Sequence, residues 1–185
     1  PRIGVLVKKR IVFLDFPDMK LDTLPHHRIN DTLSEMVSQV SPEGVDTHFW
    51  CCLNLDHVIA FLCTLVATRP VGGRRTTVYA YEVLSSTEWA LPNTPFAPNT
   101  YMDTSDLLKT KLRAMECYAT ELREYPHPRS LEAMEYLARK RGNEASLHAA
   151  EAFILVRQVR YLSARAPGRV PEPEIEQWCQ TAYRR

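Results

Sequence analysis

One stretch of the chain gathers side chains that could do chemistry together: Asn54-Leu55-Asp56-His57, with Cys51-Cys52 just ahead of it. A histidine at a helix start can ligate zinc through a neutral imidazole, and an adjacent carboxylate can orient the site or handle protons. By itself an Asp-His pair is more often a helix cap with a solvated imidazole. Cys51-Cys52 reads as a metal or redox pair, or as two small residues at a strand end. Glu82, Ser85, Ser86 and Glu88 fall at the end of a strand, where substrate contacts or plain loop capping would lie. His127 and Arg129 sit around Pro126 and Pro128 in a rigid turn. The planar fork of an arginine there can hold a hydroxyl or carboxylate, or serve a salt bridge. His26 and His27 precede a helix and read as solvated, and Glu151 and Arg157 read as an ion pair on a helix.

Local patterns supply the elements that must position these groups. Ile11-Val12-Phe13-Leu14 is a short continuous apolar run, which reads as a buried strand of a parallel sheet. From Arg28 to Val40 apolar residues recur at helical spacing, and Pro42 and Gly44 close that helix. Val45 to Phe49 is a second strand, Val58 to Thr68 a buried helix, and Thr76 to Val83 a third strand. The alternation predicts an α/β fold: a Rossmann-like parallel sheet flanked by helices. Ser85 to Thr104 holds Pro92, Pro95 and Pro98 and reads as a long loop. Helices are expected from Leu108 to Leu122, from a cap at Ser130 to Gly142, and over the alanine-rich stretch Glu144 to Leu162. The chain divides into one domain, 1–163, and a tail, 164–185, with a helical turn near Ile175 to Cys179.

Composition narrows the function classes. The 185 residues are 45% hydrophobic and 24% charged, and 23 basic residues balance 22 acidic ones. That balance offers no electrostatic footprint for nucleic acid, and no apolar run approaches the roughly 20 residues of a membrane span. Five cysteines in unpaired spacing do not make a disulfide framework and fit a cytoplasmic setting. A phosphate or nucleotide site would want a Gly-rich loop of the G-x-G-x-x-G kind, and the chain has none.

Several segments occur in a telling order: Asp15-Phe16-Pro17-Asp18, Leu21-Asp22-Thr23-Leu24-Pro25, Thr47-His48, Leu53-Asn54-Leu55-Asp56-His57, Ser85-Ser86-Thr87-Glu88-Trp89, Pro126-His127-Pro128-Arg129-Ser130, and Ala150-Glu151-Ala152-Phe153 with Arg157. This succession, over roughly Ile3 to Arg157, resembles the zinc-dependent PIG-L or LmbE-like N-acetylglucosamine deacetylases. It is most similar to the bacterial branch whose second metal motif reads Gly-Asp-Leu-Asn-x-Asp-His. The resemblance implies a metal-dependent hydrolase that removes the N-acetyl group of an N-acetylated sugar or sugar conjugate. It implies that His57 is a metal ligand, that Asp56 orients the site and that Asn54 stands where the family often carries an oxyanion-stabilising histidine. Asn can donate a hydrogen bond there but cannot carry a proton. Glu82, Ser86, His127 and Arg129 are the expected substrate contacts.

The departures from the family pattern shape the expectations further. The family's His-Pro-Asp-Asp-Glu motif, which supplies two more metal ligands and the general base, is absent, and Cys51-Cys52 replace Gly-Asp. The first strand of the family sheet is therefore expected to be missing. Zn2+, or another divalent metal, should bind weakly to this chain, and turnover should be low. A strand at Ile11 deprived of a neighbour should expose apolar surface and favour homo-oligomers. The alternative reading is a truncated or degenerate, non-catalytic relative that binds a ligand or a partner chain.

Overall fold

A computed structural model describes residues 2–7 and 10–160, with side chains from Ile11 onward. The expected tail, 164–185, and the domain boundary at 163 lie outside the described residues. Strands β1 (Arg2–Val7) and β2 (Arg10–Pro17) are followed by a 3-10 turn (Leu21–Thr23), helix α1 (His26–Val40), strand β3 (Gly44–His48) and helix α2 (Leu55–Ala67). Then come β4 (Thr77–Tyr81), β5 (Thr100–Asp103), α3 (Leu108–Glu116), α4 (Leu131–Glu144) and β6 (Ala150–Arg157). The fold is α/β: a four-stranded central sheet of order β3-β4-β6-β5, flanked by helices. The β3–β4 pair is parallel, in the register Gly44↔Thr77 to His48↔Tyr81. Strand β6 runs antiparallel to both of its neighbours.

Four elements differ from expectation. Ile11 to Leu14 is not a buried strand of the central sheet; β2 pairs with β1 in an antiparallel hairpin. Ile11 is 63% exposed and Phe13 52% exposed. The far end of β2 is anchored, because Phe16 packs with Leu21, Ile29, Ile59 and Cys63 under α1 and α2. An apolar run announces a strand but says nothing about which strand it will meet.

The second correction is at the alanine-rich stretch. Glu144 to Leu162 is not a helix; α4 ends at Glu144 and the chain returns as β6. Ala149, Ala150 and Ala152 are buried, and there the alanines serve as small packing residues where α4 crosses β6. The Phe153-Ile154-Leu155-Val156 run that follows carries the strand propensity. Strand β5 also lies inside the stretch read as loop, and α3 stops at Glu116, short of Leu122. Among the described residues, no helix is long and apolar enough to cross a membrane.

Topology brings particular residues to one end of the sheet. Strands β3 and β4 finish side by side at His48 and Tyr81, and β6 begins there at Ala150 opposite Asp103 of β5. Helix α2 starts soon after β3, with Asn54 as its N-cap: the Asn54 side chain accepts a hydrogen bond from the Asp56 N–H at 2.9 Å. Ser130 caps α4 in the same way, accepting from Ala133 N–H at 3.1 Å.

Backbone approaches closely at Gly142. A Cβ placed there would meet Leu147 O at 2.6 Å and the Ala149 backbone at 2.8 Å. Alanine would gain about 1 kcal/mol of helix propensity. Overlap with backbone, however, forces shifts that cost about 1–3 kcal/mol or more. Gly142→Ala is therefore expected to lower the urea midpoint, and an unchanged or raised midpoint would show that the turn after α4 yields freely.

Candidate functional site

The loop after β3 and the loop after β4 carry the reactive side chains. Phe49 N–H donates to Tyr81 C=O at 3.0 Å, extending the pairing past the strands, and Leu53 N–H donates to Ser86 C=O at 3.2 Å. These bonds hold the segment Phe49–Asn54 against the turn at Ser85-Ser86. Ser85 itself takes a left-handed backbone, φ 63°, which lets the chain turn sharply off β4.

Cys52 lies at the centre of this contact. Its Sγ is 3.0 Å from His57 Nδ1 and 2.9 Å from Ser86 Oγ. Ser86 Oγ also accepts the Asn54 N–H at 3.3 Å. Burial raises the pKa of the Cys52 thiol, but the hydrogen bonds that a thiolate there would accept from His57, Ser86 and the Asn54 backbone outweigh it, leaving it below the ordinary thiol value. The imidazoles of His57 and His48 are stacked, with centroids 4.2 Å apart. His48 Nε2 meets Tyr81 Oη at 3.2 Å, and its Nδ1 is buried with no hydrogen-bond partner among the described residues. Burial, with repulsion from His57 second, pushes His48 down to about 4, so His48 is neutral at pH 7. Burial above all, with the Asp46 and Cys52 charges adding, pushes Tyr81 up to about 12.

The sequence-predicted residues occupy distinct places. Asn54 is spent on its cap, with Nδ2 directed at Met19 Sδ at 3.3 Å. Asp56 is buried; its Oδ1 accepts the Leu21 N–H at 3.0 Å, while Oδ2 has no partner among the described residues. Asp56 thus ties the 3-10 turn to the start of α2. His57 and Ser86 meet through Cys52. Glu82, by contrast, forms a bidentate pair with Arg141, Nε to Oε1 and Nη2 to Oε2, both 2.7 Å. His127 Nδ1 accepts the Arg129 N–H at 3.0 Å, and its ring stands edge-on to Trp89. Arg129 pairs with Glu121, and its Nε is buried without a partner among the described residues.

Beyond Tyr81 a cavity of about 280 Å³ opens, lined by Tyr81, Glu82, Lys111, Arg129, Arg141 and Glu151 among others. Lys111 pairs with Glu151, which is on β6 and not on a helix as its sequence context implied. Tyr81 joins the two halves of the site, because it lines the cavity while its hydroxyl reaches His48. Sequence reasoning missed Arg141, Lys111 and His48 as parts of this arrangement. Arg141 looks like any other charge on a helical surface; only its neighbour Gly142 hints that this face is tightly packed.

Metal binding was tested against the donor set. Among the described residues, no group of three or more His, Cys, Asp or Glu could hold a metal ion. A catalytic zinc takes about three protein ligands and a water. His57 and Cys52 do not meet that requirement, so the described residues do not by themselves form a zinc site.

Solved structures of the same fold add the decisive context. A conserved protein of Thermus thermophilus, TT1542, superposes with TM-score 0.61 at 20% identity, covering 82% of this chain and 68% of that one. N,N'-diacetylchitobiose deacetylase of Pyrococcus horikoshii superposes with TM-score 0.59 at 15% identity, covering 77% of this chain and 55% of that one. The chain shares the fold of these proteins. The same fold serves GalB, a 4-carboxy-2-hydroxymuconate hydratase of Pseudomonas putida KT2440, at TM-score 0.57 and 20% identity, with coverages of 78% and 65%. The chain therefore spans between about half and two thirds of the length of these neighbours. No protein-family model matches the sequence, and no curated protein does.

The neutral His48 makes a pH prediction. Its folded-state pKa, about 4, lies below the 6.5 of an unfolded histidine. The unfolded chain takes the proton first, so the stability that neutral His48 contributes is complete above pH 6.5 and is lost as pH falls toward 4. Between roughly pH 7 and pH 5 this amounts to about 2 kcal/mol. His48→Gln removes the titration, so its urea midpoint should fall less on acidification than that of the wild type. Parallel pH profiles for the two proteins would refute the assignment.

Proposed function

We propose that the chain acts in removing the N-acetyl group from an N-acetylated sugar or sugar conjugate. The observation that carries this reading is the convergence of the Asn54–His57 segment, Ser86 and the Tyr81 cavity at the carboxyl end of the parallel pair, where open α/β sheets bind ligands. The deacetylase among the structural neighbours supports it. The hydratase shows that fold alone does not set the reaction, so the weight rests on the residues. The cavity mixes apolar lining, such as Val83, Met115 and Met134, with the Lys111–Glu151 pair and Arg129, which suits the apolar ring faces and the hydroxyls of a sugar. Glu82 serves this site indirectly, by fixing Arg141 in the cavity wall.

In this reading His57 is the group through which the chain would meet a metal, and zinc when bound would activate water and polarise the amide carbonyl. The described donors are too few to hold zinc by themselves, so binding is expected to be weak. That same shortage, together with Cys51-Cys52, favours a second reading: a non-catalytic relative that retains the sugar-binding cavity.

Acetate release separates the two. With N-acetylglucosamine or N,N'-diacetylchitobiose and added zinc, the first reading expects slow acetate release that falls at least about 100-fold in His57→Ala. Sugar binding with no acetate above the His57→Ala background would establish the non-catalytic reading instead.

A further inference from the structure

Cys52 occupies a position for which the deacetylase resemblance assigns no role, yet its sulfur lies 3.0 Å from His57 Nδ1. We propose that Cys52, backed by Ser86, is a positioning residue that locks the His57 ring through Nδ1 and leaves Nε2 as the lone-pair nitrogen. This rests on the same site as the deacetylase reading, but it does not depend on turnover.

The placement of the protons decides the matter. Cys52 and Ser86 are each 7% exposed, so their polar atoms must satisfy one another. The Ser86 hydroxyl oxygen accepts through its lone pairs on two sides. One receives the Asn54 N–H at 3.3 Å and the other the Cys52 S–H at 2.9 Å. Taking the thiol as the donor to Ser86 sends its proton there. Sulfur lone pairs are left to face His57 Nδ1 at 3.0 Å, and that contact is a hydrogen bond only if Nδ1 carries the proton. A neutral imidazole protonated at Nδ1 carries its lone pair at Nε2. His48 stacked on one face of the ring resists its rotation. Histidines that act through one nitrogen are commonly held by an acceptor on the other, and replacing that acceptor weakens the working nitrogen. Here a thiol does what a carboxylate or carbonyl usually does. The relay runs from Nδ1–H to Sγ–H to Oγ, and a thiolate at Cys52 accepts from Nδ1–H in the same way, so the His57 tautomer does not depend on the charge of the sulfur.

Ring-nitrogen chemical shifts of the full chain, labelled with 15N at histidine, test this in the absence of metal and substrate. The His57 signals are assigned by their loss in His57→Ala, and the spectra are taken at roughly pH 8.5, above the imidazole range. The wild type should show a pyrrole-like Nδ1 and a pyridine-like Nε2 for His57. Cys52→Ser, which keeps an acceptor and a donor, should preserve that pattern. Cys52→Ala should shift His57 to a mixture or to the Nε2–H form, and Ser86→Ala should weaken the preference in the same direction, giving a second reading should Cys52→Ala fold poorly. A wild-type His57 already protonated at Nε2, or a pattern unmoved in both Cys52→Ala and Ser86→Ala, would overturn the proposal. Failure to release acetate would count against the deacetylase reading and leave the tautomer result untouched.

Discussion

The hydrogen bond from Leu53 N–H to Ser86 C=O joins two loops that β3 and β4 deliver side by side. A parallel pair in the register His48↔Tyr81 ends both strands at the same level, so the chain after each must pass the same place. Everything reactive depends on that meeting. Cys52 reaches Ser86 because the loops are joined, His57 reaches Cys52 because α2 starts at the Asn54 cap, and His48 lies against His57 because it is the last residue of β3. Were the pairing shifted by one residue, His48 and Tyr81 would exchange faces with their neighbours and the cluster would not assemble.

The two halves of the site differ in electrostatic character. On the His57 side the groups are neutral at pH 7 where burial decides the matter: His48 is held deprotonated and Tyr81 protonated. On the cavity side the charges are kept but paired, with Arg141 gripping Glu82 and Glu144 and Lys111 gripping Glu151. A buried pair is weak evidence for stability, since desolvation offsets most of the attraction. What such pairs supply is fixed geometry: they hold charged groups in place beside the apolar side chains that line the rest of the cavity.

Much of this was legible in the sequence, where local rules suffice. Strands β3 and β4, the body of the helix between them and the Ser130 cap follow from apolar spacing and capping chemistry, because those features depend on neighbours a few residues away. Pairing partners were not legible. Ile11 to Leu14 carried a strand signal whose destination is a hairpin, a non-local choice. Ala149 to Ala152 carried a helical signal that packing against α4 overrode, with Gly142 allowing the close approach. At the site, the order of motifs pointed to His57 and Ser86, whereas the intervening Cys52 looked like a small loop residue. Its role is set by contacts 5 and 34 residues away, and single-residue chemistry does not foretell these.

The central claim is that the β3 and β4 loops and the Tyr81 cavity form one ligand site. Chemical-shift mapping of the labelled chain during titration with N-acetylglucosamine tests it most directly. Saturable shifts are expected at Ser86, Tyr81 and Arg129, with the β1–β2 hairpin unaffected. Shifts confined to the hairpin, or no saturable shift at those three residues, would contradict it.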